Sequence, residues 1–379
     1  MRRSAFLIAA SFMVFACQSG SQSEATAATT DKPFTTTVIA DFDEPWAMAF
    51  LPKINQALIT EKKGKLLLWN PDGKVVEVGG VPTVAYGGQG GLGDVIVHPD
   101  FANNGFVYLS FAEAGEGGFG AAVARGKLGT VAGKPMLTDV QVIWRQEPKV
   151  SGKGHFGHRL AFGPDNMLYV SSGDRQKFTP AQDLSQNLGK IVRLTDGGMI
   201  PSDNPFYDQG RIKAQAWSYG HRNPLGIAFD AQGRLWNQEM GPEGGDELNL
   251  VKKAANYGYP KASNGRNYGA STDDIPDHKA GDGFEAPKVF WNPAISPGGL
   301  MIYSGKMFAN WKGSAFLGAL GSKALVRVKL DGETASKADQ WDMGARIREV
   351  EQGPDGAIWL LEDGNNGSQG RLLKLTPKK

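Results

Sequence analysis

Cysteine is almost missing from this chain: Cys17 stands alone among 379 residues. No disulfide can form within one copy, so stability has to come from the core and from any bound metal. An excess of one charge is missing too. Lysine and arginine total 41 against 39 aspartates and glutamates, a net charge of +2, and no dense basic run with interleaved aromatics occurs, which excludes the footprint of a nucleic-acid binder. The apolar run from Ala5 to Ala16 is too short for a stable membrane span. Long linkers are missing as well. After residue 32 no Ser/Pro/Gly tract breaks the apolar pattern except Lys261 to Gly283, which reads as an excursion within one fold rather than a boundary between two stacked β domains.

Arg2 and Arg3 ahead of the Ala5–Ala16 run have the order of an export signal. Val14-Phe15-Ala16-Cys17 resembles the lipobox at which bacterial lipoproteins are cleaved and lipidated; the alternative is later cleavage, for instance after Ala25-Thr26-Ala27. The expectation is a signal peptide at 1–17 of lipoprotein type, outside the fold, then a flexible Ser/Thr/Ala/Gln tether at 18–32 and one domain at 33–379. Its location would be the periplasm, tethered to the membrane through a lipid on Cys17.

What is abundant is glycine, 51 residues beside 21 prolines, which favours many short strands joined by tight turns. A repeat organises them. Arg159 to Asp174, Pro224 to Asn237 and Ile347 to Asp363 each read as an alternating apolar strand, a Gly/Pro/Asp/Asn turn and a second strand with an aromatic. Weaker copies run from Trp46 to Thr60, Leu92 to Ser110 and Leu300 to Ala319. Stretches such as Lys65–Trp69, Gly189–Leu194, Leu325–Leu330 and Arg371–Leu375 supply further strands. The spacing predicts an all-β, six-bladed β-propeller.

In a propeller the inner strands of all blades meet at one axis, and four segments are placed to converge there. Gly87 to Gly93 surrounds Gln89 with glycines: a flexible connection, or a loop whose backbone approaches a flat ligand. Gly154-His155-Phe156-Gly157-His158-Arg159 precedes an inner strand and offers His155 as a general base, or as a structural histidine; His158, next to the strand, is expected to pack at the blade entrance. Tyr219 to Pro224 fixes Arg222 and Asn223 in extended geometry, suited to carbonyls and carboxylates or to an inter-blade ion pair. Gln238 to Asn249, followed by Asn256-Tyr257-Gly258, mixes carboxylates, amides and turn carbonyls, the donors Ca²⁺ takes, or else forms a solvated acidic turn.

In order along the chain, these segments, together with His98-Pro99-Asp100-Phe101, Asn187 to Leu194, and Arg346-Ile347-Arg348 before Gly353 to Gly356, resemble the glucose/sorbosone dehydrogenase family. Its soluble members use pyrroloquinoline quinone (PQQ) and Ca²⁺. The resemblance implies that His155 takes the proton of a sugar's anomeric hydroxyl while hydride passes to the quinone. It implies that Gln89, Arg222 and Asn223 contact the cofactor, with Arg222 assisting catalysis, and that Arg346 and Arg348 pair with PQQ carboxylates. Carbonyls of Gly241 and Pro242 would hold Ca²⁺, and a further Ca²⁺ near the surface would match Glu247 and Tyr257. Three departures stand out: Gly154 where the family's soluble glucose dehydrogenases have an aspartate, His158 where a small residue is expected, and Lys323 shifted from a cofactor-binding lysine. The resulting expectation is an aldose dehydrogenase making lactones for an unidentified electron acceptor, with sugar choice set by loops such as Phe119–Thr130 and Asn264–Gly283. The competing classes are a Ca²⁺-dependent propeller lactonase or esterase and a non-catalytic, lipid-tethered binding propeller.

Overall fold

The computed structural model describes residues 28–269 and 274–378. The signal peptide and most of the tether expected at 18–32 lie outside the described residues. At its described end that tether is not free: Thr29 pairs with the strand at Trp341, donating to Gln340 O at 2.9 Å and accepting from Asp342 N at 3.1 Å.

Six four-stranded antiparallel sheets follow one another as blades. Each expected hairpin forms the two innermost strands of one blade, from Pro45–Phe50 with Ala57–Glu61 in blade 1 to Ile347–Gln352 with Ile358–Glu362 in blade 6. The turn chemistry explains the repeated aspartate. Asp230 Oδ1 accepts from the Gln232 and Arg234 N–H groups, both at 2.9 Å, while its Oδ2 accepts from Trp236 Nε1 at 3.0 Å. Asp165 does the same for Met167 N at 3.1 Å and the Tyr169 hydroxyl at 3.2 Å. One carboxylate thus closes the turn and anchors the aromatic of the second strand. The ring closes in blade 6, whose outermost strand is the N-terminal Phe34–Asp41, paired with the C-terminal Arg371–Pro377. Joining the two chain ends removes a free sheet edge.

Phe119–Thr130, expected as a loop, is strand: it lies within Gly118–Val131, the third strand of blade 2, because it pairs on both sides. The Lys261–Gly283 excursion does leave the blades, and within it Gly265–Arg266 pairs with Glu243–Gly244.

Every innermost strand has a register shift at its first residues. Such bulges turn side chains inward. The axis beneath them is filled by Arg159, which reaches all the other blades. Its guanidinium lies 4.1 Å from the Trp46 ring and bonds Asp94 Oδ1 at 3.3 Å, Leu225 O at 2.7 Å, Gly298 O at 3.5 Å and Arg348 O at 3.3 Å, and it pairs with Glu349.

Candidate active site

His155 sits at the axial mouth, 5% exposed. Its Nδ1 lies 2.6 Å from Asp174 Oδ1, at the end of the neighbouring strand, and its backbone N–H donates to Gln89 Oε1 at 2.7 Å. With Nδ1–H donating to the carboxylate, Nε2 holds the lone pair. Asp174 is fully buried and also accepts from Gln176 N at 3.0 Å and Phe178 N at 3.2 Å. Burial pulls the His155 imidazole below its ordinary value, with Asp174 opposing that shift and Arg222 adding to it. With no aspartate at position 154, the imidazole takes its carboxylate partner from Asp174. The space it would have filled is taken: a Cβ at position 154 would collide with the Gln176 amide.

Arg222 is held by its backbone N–H on Glu239 Oε2 at 2.6 Å, and its Nη1 donates to Met240 O at 3.1 Å and Gly241 O at 2.6 Å. Asn223 accepts from Gly157 N at 3.3 Å. Arg222 Nε and Asn223 Nδ2 are buried with no hydrogen-bond partner among the described residues. Neighbouring His221 is structural, bridging Ser218 Oγ and Glu239 Oε1, both at 2.9 Å.

His155, Arg222 and Pro242 line a cleft of about 890 Å³ with Gln176, Phe178, Tyr259, Tyr268 and Ile275, within the ~300–1,000 Å³ typical of small-molecule sites. Tyr268 and Ile275 come from the Asn264–Gly283 excursion. Beside it, Gln89, Arg346, Arg348 and Lys62 line a second cavity with Trp46, His158 and Met240. Arg346 Nε and Arg348 Nε reach Asp363 at 2.9 and 2.8 Å. Burial alone would raise the Asp363 carboxyl, but the two guanidiniums hold it below its usual range.

Lys62 is the residue sequence reading missed. Its ammonium is pulled down by burial and by Arg348; it donates to Gly88 O at 3.3 Å and lies 4.0 Å from Glu44 and 5.8 Å from the Tyr86 ring centre. Lys323, by contrast, is exposed and does not line the cavity. A Lys-Lys pair after an apolar strand carries no local signal of function; only the blade geometry turns Lys62 inward. Gly88 lines the cavity beside Gln89, whereas two of the other glycines have a packing reason. A side chain at Gly90 would strike the Phe156 ring, and one at Gly91 the Lys62 carbonyl.

The donors fit a flat polyanion: three cations ring one cavity, and Arg222, whose buried Nε has no partner among the described residues, lines the adjoining cleft. For Ca²⁺, the Gly241 and Pro242 carbonyls each accept one hydrogen bond, from Arg222 and from the Tyr268 hydroxyl at 3.1 Å. Each keeps a second lone pair for a cation. Glu247 and Tyr257 lie together along one small interior cavity rather than at the surface. Both are buried, and the Tyr257 hydroxyl donates to Leu250 O at 2.6 Å and accepts from Lys252 N at 2.8 Å. Among the described residues no group of three or more His, Cys, Asp or Glu side chains converges as a metal site.

A closed propeller with a carboxylate-held histidine and a cation-ringed cavity at its axial mouth defines an oxidoreductase-type cofactor site. The chain belongs to the glucose/sorbosone dehydrogenase family, whose profile matches residues 42–374. It is 40% identical over 343 residues to the aldose sugar dehydrogenase YliI of Escherichia coli (strain K12), covering 89% of this chain and 91% of that one. The apo crystal structure of the soluble aldose sugar dehydrogenase from Escherichia coli superposes with a TM-score of 0.86 at 38% identity, over 91% of this chain and all (100%) of that one. The PQQ-bound aldose sugar dehydrogenase of Streptomyces coelicolor does so with a TM-score of 0.74 at 29% identity, over 93% and 100%.

Proposed function

We propose that the chain is an exported quinoprotein that oxidises the C1 hydroxyl of aldoses to lactones, using PQQ and Ca²⁺. The observation that carries this reading is His155, held by Asp174 through Nδ1 at the edge of the cleft and adjoining the cavity ringed by Lys62, Arg346 and Arg348. When bound, PQQ supplies the acceptor for the hydride leaving C1, and Ca²⁺ at the Gly241 and Pro242 carbonyls supplies Lewis-acid polarisation. His155 Nε2 takes the proton of the C1 hydroxyl. Asp174 fixes the tautomer and stabilises the imidazolium that forms. Arg222, already turned toward the Gly241 carbonyl, presents a free Nε–H to the cofactor, and Asn223 its free amide N–H. Phe178, Tyr259 and Tyr268 wall the cleft.

Reconstitution tests the reading. Apo-protein mixed with PQQ and Ca²⁺ is expected to reduce an artificial dye only when an aldose is added. Lactone hydrolysis without PQQ, and no dye reduction across an aldose panel, would replace it with the hydrolase reading. The pH profile follows from the burial of His155: kcat/KM falls on the acid side as Nε2 is protonated, with its midpoint below the ordinary imidazole value of 6.5. Asp174→Asn removes the partner that raises that value. It is expected to move the acid limb lower still and to reduce kcat on the order of 10²-fold; an unmoved limb would show that Asp174 does not act through His155.

Arg2, Arg3, the Ala5–Ala16 run and Cys17 support export and lipidation. No helix among the described residues is long and apolar enough to cross a membrane. Cys17→Ser is expected to shift the protein from the membrane to the soluble fraction on fractionation; unchanged partitioning would argue for cleavage beyond Cys17.

A further inference from the structure

The register shifts of the six innermost strands place Trp46, Gly93, His158, Leu225, Gly298 and Arg348 at the same step of each blade. Four of them, Trp46, His158, Leu225 and Arg348, line the cavity that Gln89, Arg346 and Lys62 also face. They form its floor, with the Arg159 ion cluster beneath. Arg348 has Asp363 as its partner, and Leu225 needs none.

His158 is different. It is 2% exposed, and both ring nitrogens are buried without a hydrogen-bond partner among the described residues. Its ring is wedged between Phe156, centroids 5.1 Å apart, and Trp46, 5.9 Å apart. Gly93 makes room for it, since a Cβ there would come within 3.0 Å of the ring. Its backbone has φ of +83°, a region that favours glycine. Burial pushes the imidazole down to about 3, so it is neutral throughout the working range. A histidine that merely filled space here would combine backbone strain with two unsatisfied polar atoms, although a glycine would be free of both. Neutral imidazole has one donor and one acceptor nitrogen, and the missing partner must come from the cavity.

We propose that His158 is a cofactor-binding residue: from the axial floor its neutral ring hydrogen-bonds the polar edge of the bound quinone, whose carboxylates are taken by Arg346, Arg348 and Lys62. This rests on the quinoprotein reading above and adds a contact supplied by a residue standing where the family pattern has a small one. PQQ offers carbonyl, carboxylate and pyridine acceptors and a pyrrole N–H donor, so either ring nitrogen finds a match.

The test is titration of the apo-protein with PQQ in the presence of Ca²⁺, followed by the absorption spectrum of the bound cofactor, for the parent, His158→Gly and His158→Asn. Glycine suits the +83° backbone, so His158→Gly is expected to fold with an unchanged or higher melting temperature. It should bind PQQ roughly three- to tenfold more weakly, the effect of one lost hydrogen bond, with a displaced absorption band. His158→Asn keeps a donor and an acceptor and tolerates the backbone, so it should recover part of the affinity. If the parent binds PQQ and His158→Gly gives the same curve and spectrum, the His158 assignment falls alone. If the parent does not bind PQQ, the quinoprotein reading falls and takes this one with it.

Discussion

His155→Ala is expected to lower turnover by roughly 10²–10⁴-fold, the usual contribution of a positioned general base, while PQQ stays bound and the protein stays folded. The expected separation of effects follows from how the residue is held. Its contact with Gln89 comes from the backbone N–H, which alanine retains. Asp174 keeps the Gln176 and Phe178 N–H groups, so the loop over the cleft remains anchored. What disappears is Nε2, the group proposed to accept the sugar's proton. His158 cannot take over, because it is buried to 2% and lies in the cavity floor rather than the cleft. Steady-state kinetics of the reconstituted variant, with a PQQ titration and a thermal melt alongside, measure the three effects separately. Full turnover in His155→Ala, with loss confined to a His158 variant, would move the base and misplace the whole reaction.

Arg346→Ala and Arg348→Ala are each expected to weaken PQQ binding by about 2–5 kcal/mol, the effect of removing one side of a buried charge-assisted pair, or roughly thirtyfold to several thousandfold in Kd. Stability should change far less. Each variant leaves the Asp363 carboxylate on the other guanidinium, so no buried charge is stranded. Both side chains also keep contact with solvent, 22% and 12% exposed, which limits the desolvation at stake. Calorimetric or fluorescence titration of the apo-variants gives the affinity, and a chemical melt without cofactor gives the stability. Titration curves that match the parent for both variants would remove these arginines from the site and leave Asp363 as their only purpose.

Much of this architecture is readable from the chain. The six hairpins fall where the repeat puts them, since strand alternation and an Asp-centred turn act between residues a few positions apart. His155, Gln89, Arg222 and Asn223 are also brought together as expected, because each sits at a strand entrance and propeller geometry sends those to one axis. Phe119–Thr130 was misread for a local reason: its glycines and small residues resemble a loop, and only pairing on both sides makes it a strand.

Local pattern thus determined the blades, their number and the loops that reach the axis, because periodicity and turn chemistry are properties of neighbouring residues. Ring closure decided the rest. Phe34–Asp41 becomes the last strand of blade 6 only when the chain ends meet. Lys62 faces the cavity only because blade 1 lies beside blade 6, and Glu247 is buried only because its blade packs against others. The pairing of Asp174 with His155 and the unpartnered ring of His158 depend on how strands and register shifts seat each side chain against residues remote in sequence. Such contacts leave no periodic trace along the chain, since their free energy comes from burial and charge between blades rather than from any preference of the residues beside them.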